Sequence, residues 1–129
     1  MRLRLSVLLS ISLLTSLFVQ AQDSLRNQRP AIGLNTPEYV EYAPAISADG
    51  KTMIFQSNRD STGGYKLYET KLQADGSWSN PVGLDPINNF GGPNDLIGGP
   101  TLSFDGNFMI FFASFDGGLG REDIYYSIR

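Results

Sequence analysis

The sequence predicts an all-β protein in which one antiparallel sheet unit is used twice, and three observations carry that expectation. The stretch Ser47-Ala48-Asp49-Gly50-Lys51-Thr52-Met53-Ile54-Phe55 returns 56 positions later as Ser103-Phe104-Asp105-Gly106-Asn107-Phe108-Met109-Ile110-Phe111. Each copy sets Asp-Gly between apolar runs, a pair that closes hairpins because glycine accepts a positive φ. Beyond residue 21 no segment has the apolar period of an amphipathic helix. A repeat of about 50 residues made of short strands indicates stacked sheet units.

Residues 1–21 read as a secretory signal peptide. Arg2 and Arg4 give a positive start, residues 5–19 are apolar apart from Ser and Thr, and Val19-Gln20-Ala21 sets small residues where a signal peptidase inspects them, so cleavage is expected after Ala21. The run is shorter than the roughly 18–20 apolar residues that span a bilayer, so no membrane insertion is expected once the signal is removed. Residues 22–40, with Pro30, Gly33 and Pro37, form a lead-in segment.

The first sheet unit is expected over residues 41–84. Pro44 stands three residues before its Ser-x-Asp-Gly, as Pro100 does before the second. Asp49-Gly50 closes a hairpin, and Thr52-Met53-Ile54-Phe55 is continuously apolar, as in a strand covered on both faces. The following strand, residues 65–72, alternates: Tyr65, Leu67 and Glu69 share one side, Lys66, Tyr68 and Thr70 the other, so it is expected to be half exposed. Asp75-Gly76 offers a further turn. Ser77-Trp78-Ser79-Asn80-Pro81-Val82 reads as a short outer strand, with Pro81 tolerable only at an edge.

Residues 85–129 supply a connecting loop and an incomplete second copy. There Phe108-Met109-Ile110-Phe111-Phe112 is again continuously apolar, and Tyr125 falls 57 residues after Tyr68 because the preceding loop gains one residue. Four antiparallel strands ordered inner, inner, middle, outer make one β-propeller blade. The chain is therefore expected to form two four-stranded antiparallel β-propeller blades of an incomplete propeller, the second stopping before any equivalent of Trp78.

Composition narrows the function. Removing Arg2 and Arg4 from the 10 basic residues leaves 8 against 13 acidic ones, a net charge of −5, which argues against nucleic acid or an anionic membrane as partner. The chain has no His and no Cys, so Ser-His-Asp and Cys-His catalysis, His or thiolate zinc sites and disulfides are all excluded. Paired carboxylates of the glycosidase type remain open at Glu41, Asp95, Glu122 or Asp123. The competing reading, in which Asp95 caps a turn and Glu122-Asp123 begin a strand, is preferred. Gly117-Gly118-Leu119-Gly120-Arg121 lacks the Gly-Lys-Ser/Thr ending of a phosphate loop and runs into a strand. The Asp-Gly pairs lack the alternating oxygen ligands of a calcium loop. No cofactor or metal is expected. Tyr65, Tyr68, Trp78, Tyr125 and Tyr126 are assigned chiefly to packing, with a sugar-stacking surface as the alternative.

Ser-x-Asp-Gly-(Lys/Asn), an aromatic-aliphatic strand, a Gly-rich loop and (Leu/Ile)-Tyr resemble the WD40-like propeller repeat of the TolB periplasmic propeller. The stretch from Asn94-Asp95-Leu96-Ile97-Gly98-Gly99-Pro100 into the second Ser-x-Asp-Gly, with Glu122-Asp123-Ile124-Tyr125-Tyr126-Ser127, is similar to the version in Bacteroidota envelope proteins, where such blades often precede an OmpA-like domain. So is Gly76-Ser77-Trp78-Ser79-Asn80-Pro81-Val82-Gly83-Leu84, whose Trp packs between neighbours in such blades. The resemblance covers residues 35–129 and makes Ser47, Asp49, Gly50, Ser103, Asp105, Gly106 and Trp78 the structural repeat motif. It implies an exported periplasmic or outer-membrane-associated scaffold or docking module that binds protein or glycan non-enzymatically. The alternative is the N-terminal part of a propeller-containing hydrolase, either a glycan hydrolase or a propeller-capped peptidase, with its catalytic groups elsewhere.

Two units cannot close a ring, and repeat units bury their apolar faces on neighbours. Exposure of Met53, Phe55, Met109 and Phe111 or their partners is expected. Further blades of a longer chain, a truncated reading frame and self-association are the three explanations, with the end at Arg129 favouring the first. Interaction is assigned to loops 59–64, 86–98 and 116–121, with Arg59, Asp60, Asn94, Asp95, Asp116 and Arg121 as candidates.

Overall fold

The computed structural model of the protein describes residues 31, 33–59 and 64–129. The signal peptide, most of the lead-in segment and Asp60 lie outside the described residues. Residues 31–129 form two antiparallel sheets. The first has four strands in sequence order: β1 (Glu41–Ile46), β2 (Thr52–Ser57), β3 (Lys66–Lys71) and β4 (Val82–Gly83). A single helical turn, α1 (Asp85–Asn88), leads to the second sheet of β5 (Ile97–Leu102), β6 (Phe108–Ala113) and β7 (Asp123–Ile128).

The repeat extends to the irregularities. The β1–β2 pairing is interrupted between Tyr42 and Ala45, and the β5–β6 pairing between Gly98 and Thr101, 56 residues on. The left-handed residue falls at equivalent positions, Ala43 at φ 45° and Gly99 at φ 58°. At Gly99 a Cβ would lie 2.7 Å from the Phe112 ring, so close approach as well as φ selects glycine there.

Packing of one sheet on the other makes the main core. Ile54 and Leu67 from the first sheet meet Ile97, Met109, Phe111 and Ala113 from the second, with Phe115 at one end. The opposite face of the first sheet, Phe55 and Tyr68, is closed by Leu34, Ala31 and Trp78. Leu34 and Trp78 thus act as a cap on a sheet that would otherwise end in apolar surface.

Several expectations need correction. The outer strand over Ser77-Trp78-Ser79-Asn80-Pro81-Val82 is reduced to a bridge between Leu72 and Trp78 and the two residues of β4, offset in register by one; Pro81, which has no N–H to give, falls in the gap. The second sheet has three strands among the described residues, not four. β3 is covered on both faces, burying Leu67, Tyr68 and Thr70, because the second sheet lies on one side and the Leu34–Trp78 cap on the other. β6 is covered on one face only: Met109, Phe111 and Ala113 are buried while Phe108 and Ile110 are exposed, because among the described residues no element stacks on the outer face of the second sheet. Exposure was expected at Met53, Phe55, Met109 and Phe111 or their partners: Phe55, Met109 and Phe111 are core, the β6 partners Phe108 and Ile110 take the exposure, and in β2 the partners Ile54 and Gln56 are buried as well. α1 was not anticipated; its four residues are too few to show a period, although Pro86 in its first turn is a helix-start signal.

Candidate functional site

The hairpin direction sorts the loops onto two ends. The turns at 47–51, 73–77 and 103–107 lie at one end, and Arg59 and Gly64 flanking β2 and β3, the α1–β5 connection and the β6–β7 loop lie at the other.

At the turn end the two repeat motifs have the same internal wiring. Gly50 donates to the Ser47 carbonyl at 2.9 Å and Gly106 to that of Ser103 at 3.0 Å. The residue before each glycine is thus a central turn residue, and the glycine follows in the left-handed region at φ 72° and 71°. Ser47 Oγ donates to Asp49 Oδ1 at 2.6 Å and accepts from the Thr52 N–H at 2.9 Å; Ser103 Oγ does the same with Asp105 Oδ1 at 2.6 Å and the Phe108 N–H at 3.0 Å. Each aspartate also takes the N–H two residues on, from Lys51 at 3.0 Å and Asn107 at 3.1 Å. The serine hydrogen bond first, and then the backbone N–H, hold both carboxyls below the usual carboxylate range. Asp75 closes the third Asp-Gly turn through Ser77 instead, and its pKa is lowered by the same two kinds of bond.

Between the two repeat turns lies an open cleft of about 490 Å³, lined among others by Asp49, Thr52, Phe104, Asp105 and Arg129. Phe104 projects there with its ring almost fully exposed. Arg129 reaches across to Glu69 on β3, which also pairs with Lys71 at 2.9 Å. Burial alone would raise the Glu69 carboxyl, but hydrogen bonds from Lys71 and Arg129 outweigh it and lower the pKa. Every carboxylate described at this end is thus stabilised in its ionised form. The cleft can accept hydrogen bonds from hydroxyl or amide donors and offers an aromatic face.

At the loop end, Arg59 and Asp95 of the candidates chosen from sequence have structural partners. Arg59 forms an ion pair with Glu41 at 3.1 Å and lies 5.0 Å from the Phe55 ring centroid and 5.2 Å from that of Tyr68, clamping the start of β1 over the buried aromatic pair. Asp95 accepts the Gly92 N–H at 2.6 Å and caps that turn. Gly64 packs so closely on the Asn94 and Asp95 backbone that a Cβ would collide with it. The Asp95 side of the connection is therefore brought against Gly64, just before β3. Phe90 and Phe115 meet edge to face at 5.0 Å, tying in the β6–β7 loop. Asp116 and Arg121 stand exposed on that loop. Of the carboxylates considered for catalysis, Glu41 and Asp95 are engaged as above, Asp123 accepts the Gly120 N–H at 3.1 Å, and Glu122 is exposed. Among the described residues no three such side chains converge to hold a metal ion.

Sequence reasoning missed Asn88. Its buried carboxamide takes the Leu67 N–H at 2.9 Å and donates to the Leu67 carbonyl at 2.8 Å, locking α1 onto β3. Of the aromatic set, Tyr68, Trp78 and Tyr125 belong to the cores, Tyr65 lies against Tyr42, and Tyr126 is exposed and stacked on Phe108.

These features define a β protein of two stacked antiparallel sheets with a shared turn motif. No protein-family model matches the chain, and no curated protein matches it. Among the described residues no helix is long and apolar enough to cross a membrane.

Proposed function

We propose that the chain is an exported, propeller-type module of the bacterial cell envelope, periplasmic or outer-membrane-associated, serving as a scaffold or docking surface for protein or glycan without catalysing a reaction. The observation that carries this reading is the repetition, at a spacing of 56 residues, of a whole structural device: bulge, Ser-x-Asp-Gly turn and apolar strand. Units that repeat in this way stack as blades and present loops from their ends. The polar groups at both ends support a binding role, because they are committed to turns and loop anchors and leave shaped surface between them. The cleft beside Phe104, with acceptor carboxylates around an exposed ring, suits a sugar or a peptide loop.

The test is a binding and turnover panel on the secreted protein. Its amino terminus is expected at Gln22; glycans or envelope proteins are expected to bind saturably, and binding is expected to fall about tenfold in Phe104→Ala, a change of about 1.4 kcal/mol. Glycan and peptide substrates are expected to remain intact. Hydrolysis that disappears in Asp95→Asn or Glu122→Gln would overturn the non-enzymatic reading in favour of a propeller hydrolase.

A further inference from the structure

The outer face of the second sheet is apolar throughout β6 and β7. The pairs Phe108–Ile128, Ile110–Tyr126 and Phe112–Ile124 place six large apolar side chains side by side with no charge among them. Phe108 is 37% exposed, Ile110 42%, Ile124 81%, Tyr126 68% and Ile128 67%. Five such side chains expose on the order of 500 Å² together, the upper range of what a monomer presents in one patch.

The first sheet shows how the equivalent face is used. Ile54 and Leu67, the counterparts of Ile110 and Ile124, are buried on the second sheet. The remaining counterparts are polar: Thr52, Gln56, Glu69 and Lys71 stand where the second sheet has Phe108, Phe112, Tyr126 and Ile128. Packing in that mode needs polar partners, since Glu69 is held by Arg129 and Lys71. The outer face of the second sheet has no use for them. It fits a partner that is itself a dry sheet face.

We propose that this partner is a second copy of the chain, docked through the same face about a two-fold axis. An isologous pairing sets apolar surface on apolar surface without opposing like charges. Two patches together bury on the order of 1,000 Å², the lower bound for a specific interface. Head-to-tail addition is disfavoured, because the face a further copy would need, Phe55 and Tyr68, is closed by Leu34, Ala31 and Trp78. The proposal uses sheet geometry alone, so its failure leaves the envelope-scaffold reading intact, and the reverse holds too.

Sedimentation equilibrium of the purified protein is expected to give a dimer that dissociates in the micromolar range. The double variant Ile124→Lys, Tyr126→Lys is expected to weaken association at least a hundredfold with an unchanged circular dichroism spectrum. Val82→Lys, at an apolar position on the first sheet that is also 68% exposed, is expected to change nothing. Because the chain has no cysteine, Tyr126→Cys adds a single thiol near the centre of the face, and mild oxidation is expected to cross-link it to its own copy. A wild-type monomer at about 100 μM, a dimer that survives the two lysines, or open-ended polymers without the Tyr126→Cys cross-link would each overturn the proposal.

Discussion

Ile54 and Ile110 occupy the same place in the two copies of the repeat, yet one is core and the other surface, so truncating each to alanine separates packing from sequence. Ile54 is 2% exposed and borders a crevice of about 240 Å³ with Leu102 and Met109. The neighbouring sheet is held by its own ladder and cannot collapse into the space that Ile54→Ala leaves. The expected loss is about 3 kcal/mol, within the 2–5 kcal/mol range for such truncations. For a domain of this size that lowers Tm by about 10–20 °C. Ile110→Ala removes a side chain that is already 42% in water, and its expected cost is at most about 1 kcal/mol. Urea denaturation below micromolar concentration, where self-association makes no contribution, is the assay. Equal losses at the two positions, or an Ile54→Ala loss under about 1 kcal/mol, would refute the packing of the first sheet on the second.

Three further outcomes are expected. Asn88→Ala strands the Leu67 N–H in a buried position and is expected to cost about 2 kcal/mol in chemical denaturation, with Asn88→Asp no better because the donor is lost. Gly106→Ala meets no neighbouring atom, so its cost of about 1 kcal/mol is purely the left-handed backbone, and Gly106→Asn is expected to recover part of it in the same assay. Folding lowers the pKa of Asp49 and Asp105, so their contribution is complete at neutral pH, begins to fade as pH falls toward about 4 and is gone below the folded-state pKa. Stability measured from pH 6 to pH 2 is expected to fall, less steeply in Asp105→Asn; a rise on acidification would contradict the turn geometry.

The Ser-x-Asp-Gly turns were legible because all their partners lie within five residues: serine, aspartate and glycine specify each other locally, and the duplicate at 103–106 repeats the statement. Strand positions in β2, β3 and β6 followed from apolar runs and alternation for the same reason, and that of β7 from the match of the second copy to the first. The fates of Arg59 and Asn88 were not legible, since the first depends on Glu41, 18 residues away, and the second on the Leu67 backbone, 21 away. Trp78 was recognised as a packing residue, but its partners Leu34, Phe55 and Tyr68 come from three separate segments.

By itself, then, the amino-acid order determined the β character of the chain, its duplication, and the turns that join β1 to β2 and β5 to β6, because these depend on near neighbours and on φ preferences. Only tertiary structure decided which face of each sheet is covered. Met-Ile-Phe is written identically in both copies, but in the first a second sheet and a capping tryptophan cover both sides, and in the second one side meets water. Burial is a property of what stacks on a strand, and a strand's own residues do not encode its neighbour.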